Sequence, residues 1–97
     1  MAKINILFDG LLDDVDIISI PNDIACRIEE IAQEFLDWIP LAEDEDYWTI
    51  IDGRKYYICE TDGFIKWLNS SYCKGTEKAF VVKKHTNYCS DNKTIEF

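Results

Sequence analysis

The chain has 97 residues, of which 47% are hydrophobic and 13% aromatic, and its formal net charge is −9. That length fits one domain with a small core, and so much hydrophobic content excludes a disordered chain of high net charge. The surplus of carboxylates argues against direct binding to nucleic acid, because a phosphate backbone is bound through Lys and Arg.

The negative charge lies in the first half of the chain. Residues 1–52 contain 14 Asp and Glu against two bases, a net charge of −12, whereas residues 53–97 contain five acids against eight bases, a net charge of +3. This distribution favours a basic protein partner, although acidic residues also serve simply to keep a domain in solution. Composition alone leaves both interpretations open.

Cysteine spacing and the lack of targeting signals suggest a compartment. Cys26, Cys59, Cys73 and Cys89 lie 33, 14 and 16 residues apart, without the paired spacing of zinc ribbons or redox motifs. The first residues do not resemble a signal peptide, and no apolar run reaches the roughly 20 residues of a membrane-spanning helix. We therefore expect a cytoplasmic protein with reduced thiols, no metal, no cofactor and no membrane association.

Two strands are predicted at the start of the chain. Residues 4–8 alternate so that Ile4, Ile6 and Phe8 share one face, which predicts a strand with that face buried. Asp9-Gly10 then predicts a turn, and residues 15–18 predict a short second strand.

A long amphipathic helix is predicted from Pro21 to about Ile39. Proline is favoured in a first helical turn, and Pro40 cannot continue the helix. The apolar residues between them recur at three- and four-residue intervals, which predicts one buried face. These residues are Ile24, Ile28, Ile31, Phe35 and Ile39.

Acidic residues occupy the outer side of this helix and the segment that follows it. We call these eight carboxylates the acidic ridge: Glu29, Glu30, Glu34 and Asp37 on the helix, and Glu43, Asp44, Glu45 and Asp46 beyond Pro40. Trp38 and Tyr47 bracket the second group. Such aromatics either pack in the core or, if exposed, provide contacts for a partner rich in Arg or Lys.

The second half predicts a hairpin, a helix and two strands. Tyr47–Cys59 has β-type segments flanking Asp52-Gly53, a dipeptide that tolerates the positive φ angles of a two-residue type I′ turn, and this turn would place Trp48 opposite Tyr57. Thr61 is predicted to cap a helix that ends near Ser71. A loop at residues 74–76 and strands at 79–84 and 93–97 complete the chain.

These elements predict an α+β fold in which residues 1–97 form a single small domain. A mostly antiparallel sheet would pack against the one long amphipathic helix, with the shorter second helix beside it.

The sequence shows no reaction centre. His85 is the only histidine and lies in a polar stretch, so it is expected on the surface. An acidic cluster, formed by Asp9, Asp13, Asp14 and Asp16, lacks the ligand spacing and closing Glu of a calcium loop. We therefore expect no enzymatic activity, and a small metal-dependent enzyme that uses this cluster is the alternative from that class.

In its size, its acidic ridge and its compact α+β elements with the hairpin Tyr47–Cys59, the whole chain resembles the small acidic immunity proteins of bacterial toxin–immunity systems, such as those of contact-dependent growth inhibition. The resemblance implies a cytoplasmic protein that binds the basic toxic domain of a cognate effector, often a nuclease. It would inhibit that domain by steric and electrostatic occlusion, through the acidic ridge with Trp38 and Tyr47. The alternative is a phage-type nucleic-acid mimic whose carboxylates occupy the channel of a host defence nuclease.

Overall fold

The computed structural model of the protein describes residues 1–8, 10–73, 75 and 77–97. Within these residues the strands are β1 (Ala2–Leu7), β2 (Val15–Ile20), β3 (Trp48–Ile51), β4 (Arg54–Tyr57), β5 (Phe80–Thr86) and β6 (Lys93–Glu96). The α-helices are α1 (Asn22–Ala25), α2 (Ile28–Trp38) and α3 (Thr61–Ser71), and 3-10 turns occupy Ile39–Leu41 and Glu45–Tyr47. The α+β class is as predicted.

Four strands form the main sheet, in the order β5-β2-β1-β6. The β1–β2 and β2–β5 pairs are antiparallel, which confirms the prediction of a mostly antiparallel sheet, but β6 pairs with β1 in parallel. Ile4 lies opposite Ile18, and Ile6 lies opposite Ile95. These four side chains form the buried face on which the helices pack.

The second face of the sheet is crossed by the connection between β5 and β6. Both strands run parallel to β1 at opposite edges, so residues 87–92 must cross β2 and β1. Asn5 is fully buried beneath this connection. Its amide nitrogen donates to the Cys89 carbonyl at 2.6 Å and to Thr94 Oγ1 at 3.3 Å, and its Oδ1 accepts from Asn92 Nδ2 at 3.2 Å.

The prediction of one long helix is matched only in part, because the segment divides into α1 and the longer α2. Cys26 and Arg27 form a turn between them, with Arg27 at φ −120° and ψ 19°. Neither residue is a helix breaker, so no local signal marks this turn. Pro21 is the N-cap of α1, one position before the helix begins, and α2 ends at Trp38 ahead of Pro40, as predicted.

Helices α2 and α3 pack on the first face of the sheet and build one core with it. Phe35 of α2 and Phe64 of α3 are fully buried, with ring centroids 5.2 Å apart in an edge-to-face arrangement. The Phe97 ring lies 5.1 Å from Phe64, and the Phe97 amide donates to the Leu7 carbonyl at 2.9 Å. The last residue of the chain thus closes the core beside the first strand.

The predicted hairpin is confirmed in its register and its turn. Trp48 lies opposite Tyr57 in the β3–β4 pair. Asp52 and Gly53 have φ angles of 52° and 78°, the two positive values of a type I′ turn. The pair forms a sheet of its own, separate from the main sheet, and we call it the ribbon.

The N-terminus of α3 differs from the prediction. Thr61 is the first residue of the helix, and the N-cap position belongs to Glu60. The Thr61 hydroxyl donates instead to Asp16 Oδ2 at 2.5 Å, because that carboxylate is buried and needs a partner.

The predicted strands at 79–84 and 93–97 are present as β5 and β6, with ends that differ by one or two residues. Asp9 of the predicted turn, and Lys74 and Thr76 of the predicted loop, lie outside the described residues.

Candidate partner-binding surface

The helical part of the acidic ridge lies on the solvent side of α2. Glu29, Glu30, Glu34 and Asp37 are all exposed, whereas Ile31 and Phe35 on the opposite side are buried. At 100° per residue the four acids span roughly 140° of the helix. The prediction that these carboxylates lie on the outer side of the helix is therefore confirmed.

Three of the four α2 carboxylates accept a hydrogen bond from a nearby side chain. Glu30 accepts from Arg27 Nε at 3.0 Å, and Asp37 accepts from Gln33 Nε2 at 3.0 Å. Glu34 accepts from the hydroxyl of Tyr72, and this hydrogen bond raises the pKa of Tyr72. Within the described residues, Glu29 has neither an ion pair nor a side-chain hydrogen bond.

The second part of the ridge is organised by a lysine of α3. Lys66 Nζ lies 2.8 Å from Asp44 Oδ2 and 2.7 Å from Asp46 Oδ2, and it sits 5.3 Å from the centroid of the Tyr47 ring. The hydrogen bond from Lys66 lowers the pKa of Asp44, and the two carboxylates raise the pKa of Lys66. Glu45 approaches Lys55 of the ribbon at 4.0 Å.

Glu43 is exposed and, among the residues that the structure describes, has no basic partner within ion-pair distance.

The two aromatics that bracket the acidic segment belong to the core. Tyr47 is only 4% exposed, and its ring stands edge-on to Trp38 at 5.1 Å. Trp38 is partly buried and also lies 6.2 Å from Trp67. The packing interpretation therefore holds for both residues. The alternative interpretation, in which Tyr47 is exposed and contacts a partner, is wrong, because Trp38 and Lys66 cover its ring.

Helix α3 joins the two parts of the ridge. Tyr72 contacts Glu34 at one end, and Lys66 contacts Asp44 and Asp46 farther back along the helix. Lys66 lies within α3, and Tyr72 is the C-cap residue that follows it. Glu34 of α2 is thus linked to the C-terminal end of α3, and Asp44 and Asp46 are linked to the same helix through Lys66.

Sequence reasoning missed Lys66 and Tyr72, which organise this surface. The one available signal was that Lys66 is a lone base within an otherwise uncharged stretch of α3. Its target carboxylates are 20 and 22 residues away in the sequence, so no helical spacing connects them.

The exposure expected of His85 is confirmed, since its side chain is 77% accessible. Its Nδ1 lies 2.6 Å from Asp14 Oδ1, and this contact raises the pKa of His85. His85 also lines a surface pocket, together with Asp16 and Cys59. Burial raises the pKa of the Cys59 thiol, which keeps it protonated and works against a nucleophilic role.

The aspartates of the acidic cluster near the start of the chain have different surroundings. Asp14 faces His85, while Asp16 is buried and accepts from Thr61 and from the backbone N–H of His85 at 3.1 Å. Asp9 lies outside the described residues. The remaining, described part of the chain contains no group of three His, Cys, Asp or Glu placed to hold a metal ion.

Two further observations bear on the class of protein. None of the helices among the described residues combines the length and apolar character needed to cross a membrane. Comparison with protein-family models, with curated proteins and with solved structures gives no match for this chain.

Proposed function

We propose that this protein is an inhibitor that works by binding another protein: an immunity protein that neutralises a cognate basic toxin domain, such as a nuclease. The observation that carries the proposal is the acidic ridge, whose eight carboxylates are all exposed, three of them in contact with Lys66 or Tyr72. Inhibition would come from steric and electrostatic occlusion of the toxin's active site or substrate groove, with no chemical step by this chain.

The ion pairs within the acidic ridge are weak enough to be replaced by ion pairs with a partner. Its ion pairs to Arg27, Lys55 and Lys66 are exposed, and such pairs contribute only about 0–1 kcal/mol each. A partner's Arg or Lys side chains can therefore replace these contacts at little cost. Opposed charge on the two proteins would also steer their association and raise its rate.

The partner is first identified by a pull-down from the native host, and its purified toxin domain is then used for the binding measurements. The ridge variant combines Glu29→Lys, Asp37→Lys and Glu43→Lys, which are exposed carboxylates without a basic partner among the described residues. We expect the association rate, measured by stopped-flow fluorescence at low salt, to fall by about tenfold or more. The parent's rate should also fall as salt screens the charges.

The control variant combines Lys3→Glu and Lys83→Glu. Both residues are exposed, and they pair with Ser19 and Ile17 on the second face of the main sheet. This variant should bind as the parent does. An unchanged rate in the ridge variant would show that the ridge only solvates the protein. Binding to a DNA-cleaving defence nuclease in place of the toxin domain would favour the nucleic-acid mimic.

A further inference from the structure

The ribbon exposes apolar side chains on both of its faces. Ile50 is 67% exposed and Ile51 55%, and Tyr56 and Tyr57 are 46% and 48% exposed. Their positions in the register alternate, so Ile50 and Tyr57 share one face while Ile51 and Tyr56 share the other. Neither strand of the ribbon pairs with a third strand in the described part of the chain.

Among the described residues, the ribbon contacts the rest of the protein through its base and through the ion pair of Lys55 with Glu45. The Trp48 indole N–H donates to the Ala42 carbonyl at 2.8 Å, and the Ile58 amide donates to the Tyr47 carbonyl at 2.8 Å. The Trp48 ring packs against the core and stands edge-on to Tyr57 at 5.9 Å. The core therefore fixes the direction of the ribbon and leaves its outer residues in solvent.

Solvent-exposed isoleucine and tyrosine side chains grouped on a small element are typical of a binding surface. Threonine, which is also β-branched, would give a two-stranded hairpin similar strand propensity without exposing apolar area, so folding alone does not require aliphatic side chains there. Tyrosine is enriched at interface hot spots, because it combines a large apolar area with a hydroxyl and few rotatable bonds.

The charges around the ribbon indicate what kind of partner it fits. The segment at the base of the ribbon, residues 43–47, holds four acids and no base, whereas the ribbon itself, residues 48–57, holds one acid and two bases, a net charge of +1. At the base of the ribbon the Glu45 side chain is 87% exposed and that of Asp46 74%. The apolar side chains thus adjoin the 3-10 end of the acidic ridge.

We propose that the ribbon is the docking element of this protein and that it inserts against an apolar patch of the basic protein partner, with that partner's Lys and Arg side chains facing the acidic residues at the ribbon's base. The inference rests on the proposed function and names the surface that provides the affinity. The ridge steers association, and the ribbon side chains Ile50, Ile51, Tyr56 and Tyr57 hold the complex together. Charge then mainly sets the association rate, and buried apolar contacts mainly set the dissociation rate.

The test compares two sets of substitutions to threonine, which keeps strand propensity while removing apolar area. The ribbon variant combines Ile50→Thr, Ile51→Thr and Tyr56→Thr and leaves the Trp48–Tyr57 contact intact. The control combines Phe80→Thr and Val82→Thr, which are 51% and 40% exposed on β5. Both proteins are titrated against the same purified basic toxin domain, and their dissociation rates are measured by surface plasmon resonance.

We expect the ribbon variant to dissociate at least about tenfold faster, with its association rate nearly unchanged, and the control to stay within about twofold of the parent. Amide hydrogen exchange of the parent complex should show protection from Trp48 to Tyr57. This second measurement does not depend on how well the variant folds.

The possible failures are distinguishable. A parent that does not bind the toxin domain overturns the proposed function and the inference with it. A parent that binds, with an unchanged dissociation rate in the ribbon variant and no protection of the ribbon, overturns the inference alone. A parent that forms a dimer which the ribbon substitutions dissociate would instead assign the ribbon to self-association.

Discussion

At the scale of single residues, the buried Asp16 connects three elements of the fold. Its carboxylate receives the Thr61 hydroxyl at the start of α3 and the backbone N–H of His85 in β5. His85 has a φ of +52°, a left-handed conformation that is uncommon outside glycine. The register between β2 and β5 shifts at this point, next to Val15. The hydrogen bond from His85 helps to offset the strain of this irregularity.

The contact between His85 and Asp14 predicts a pH dependence. An unfolded histidine has a pKa near 6.5, and the Asp14 hydrogen bond and charge raise that of the folded protein. The contact therefore stabilises the protein fully below about pH 6.5, and this contribution is lost as pH rises through the raised folded pKa. We expect His85→Asn, which tolerates the left-handed backbone, to remove this part of the dependence of melting temperature on pH.

The matched control is Asp14→Asn, which should return the pKa of His85 toward its usual value in an NMR titration. A His85→Asn profile that runs parallel to the parent's profile across neutral pH would contradict the assignment.

At the scale of elements, helix and ribbon obtain their stability in different ways. Helix α3 packs against the core through Phe64, Trp67 and Leu68, so its stability comes from burial. In the ribbon, Trp48 packs against the core, whereas all four residues of β4 are exposed. The stability of the ribbon therefore depends strongly on the turn at Asp52-Gly53.

Replacing glycine by alanine should therefore have opposite effects on stability in the ribbon and in α3. Gly53→Ala forces a side chain into a φ of 78°, which costs about 1 kcal/mol or more, although the new Cβ meets no atom within 4 Å. Gly63→Ala lies in α3 with its Cβ at ordinary contact distance, 3.4 Å, from the Tyr47 ring, and should stabilise the helix by up to about 1 kcal/mol.

Amide exchange in β4 should speed up in the Gly53 variant, and the melting temperature should rise in the Gly63 variant. A β4 exchange rate that does not change would show that the turn does not control the ribbon.

At the scale of the whole molecule, the two ends of the chain meet through Asn5. Its buried amide joins β1 to the connection that crosses the sheet and to Thr94 of β6. The parallel β1–β6 pair forms only if this connection lies flat on the second face. Asn5 is thus both a sheet residue and the anchor of the crossover.

Asn5→Ala should accordingly destabilise the protein by about 1–3 kcal/mol, because it leaves the partly buried Cys89 carbonyl and Asn92 amide without their partner. Urea unfolding measures this change. Asn87→Ala, at an exposed position in the same connection, should stay within about 0.5 kcal/mol of the parent. Equal stabilities for the two variants would mean that Asn5 does not anchor the crossover.

Features set by nearby residues were determined by the sequence itself. The ribbon register follows from Asp52-Gly53, and the end of α2 follows from Pro40, because a turn type and a missing N–H act within a few residues. The exposure of Glu29, Glu30, Glu34 and Asp37 follows from helical periodicity.

Features that depend on distant parts of the chain were decided only by the tertiary structure. The parallel pairing of β6, the turn between α1 and α2 and the separation of the ribbon from the main sheet have no local signal. The same holds for the burial of Tyr47 and for the position of Lys66 between Asp44 and Asp46. Each of these arises because packing a single small core brings together side chains that are distant in the sequence, and the free energy of that packing outweighs local preference.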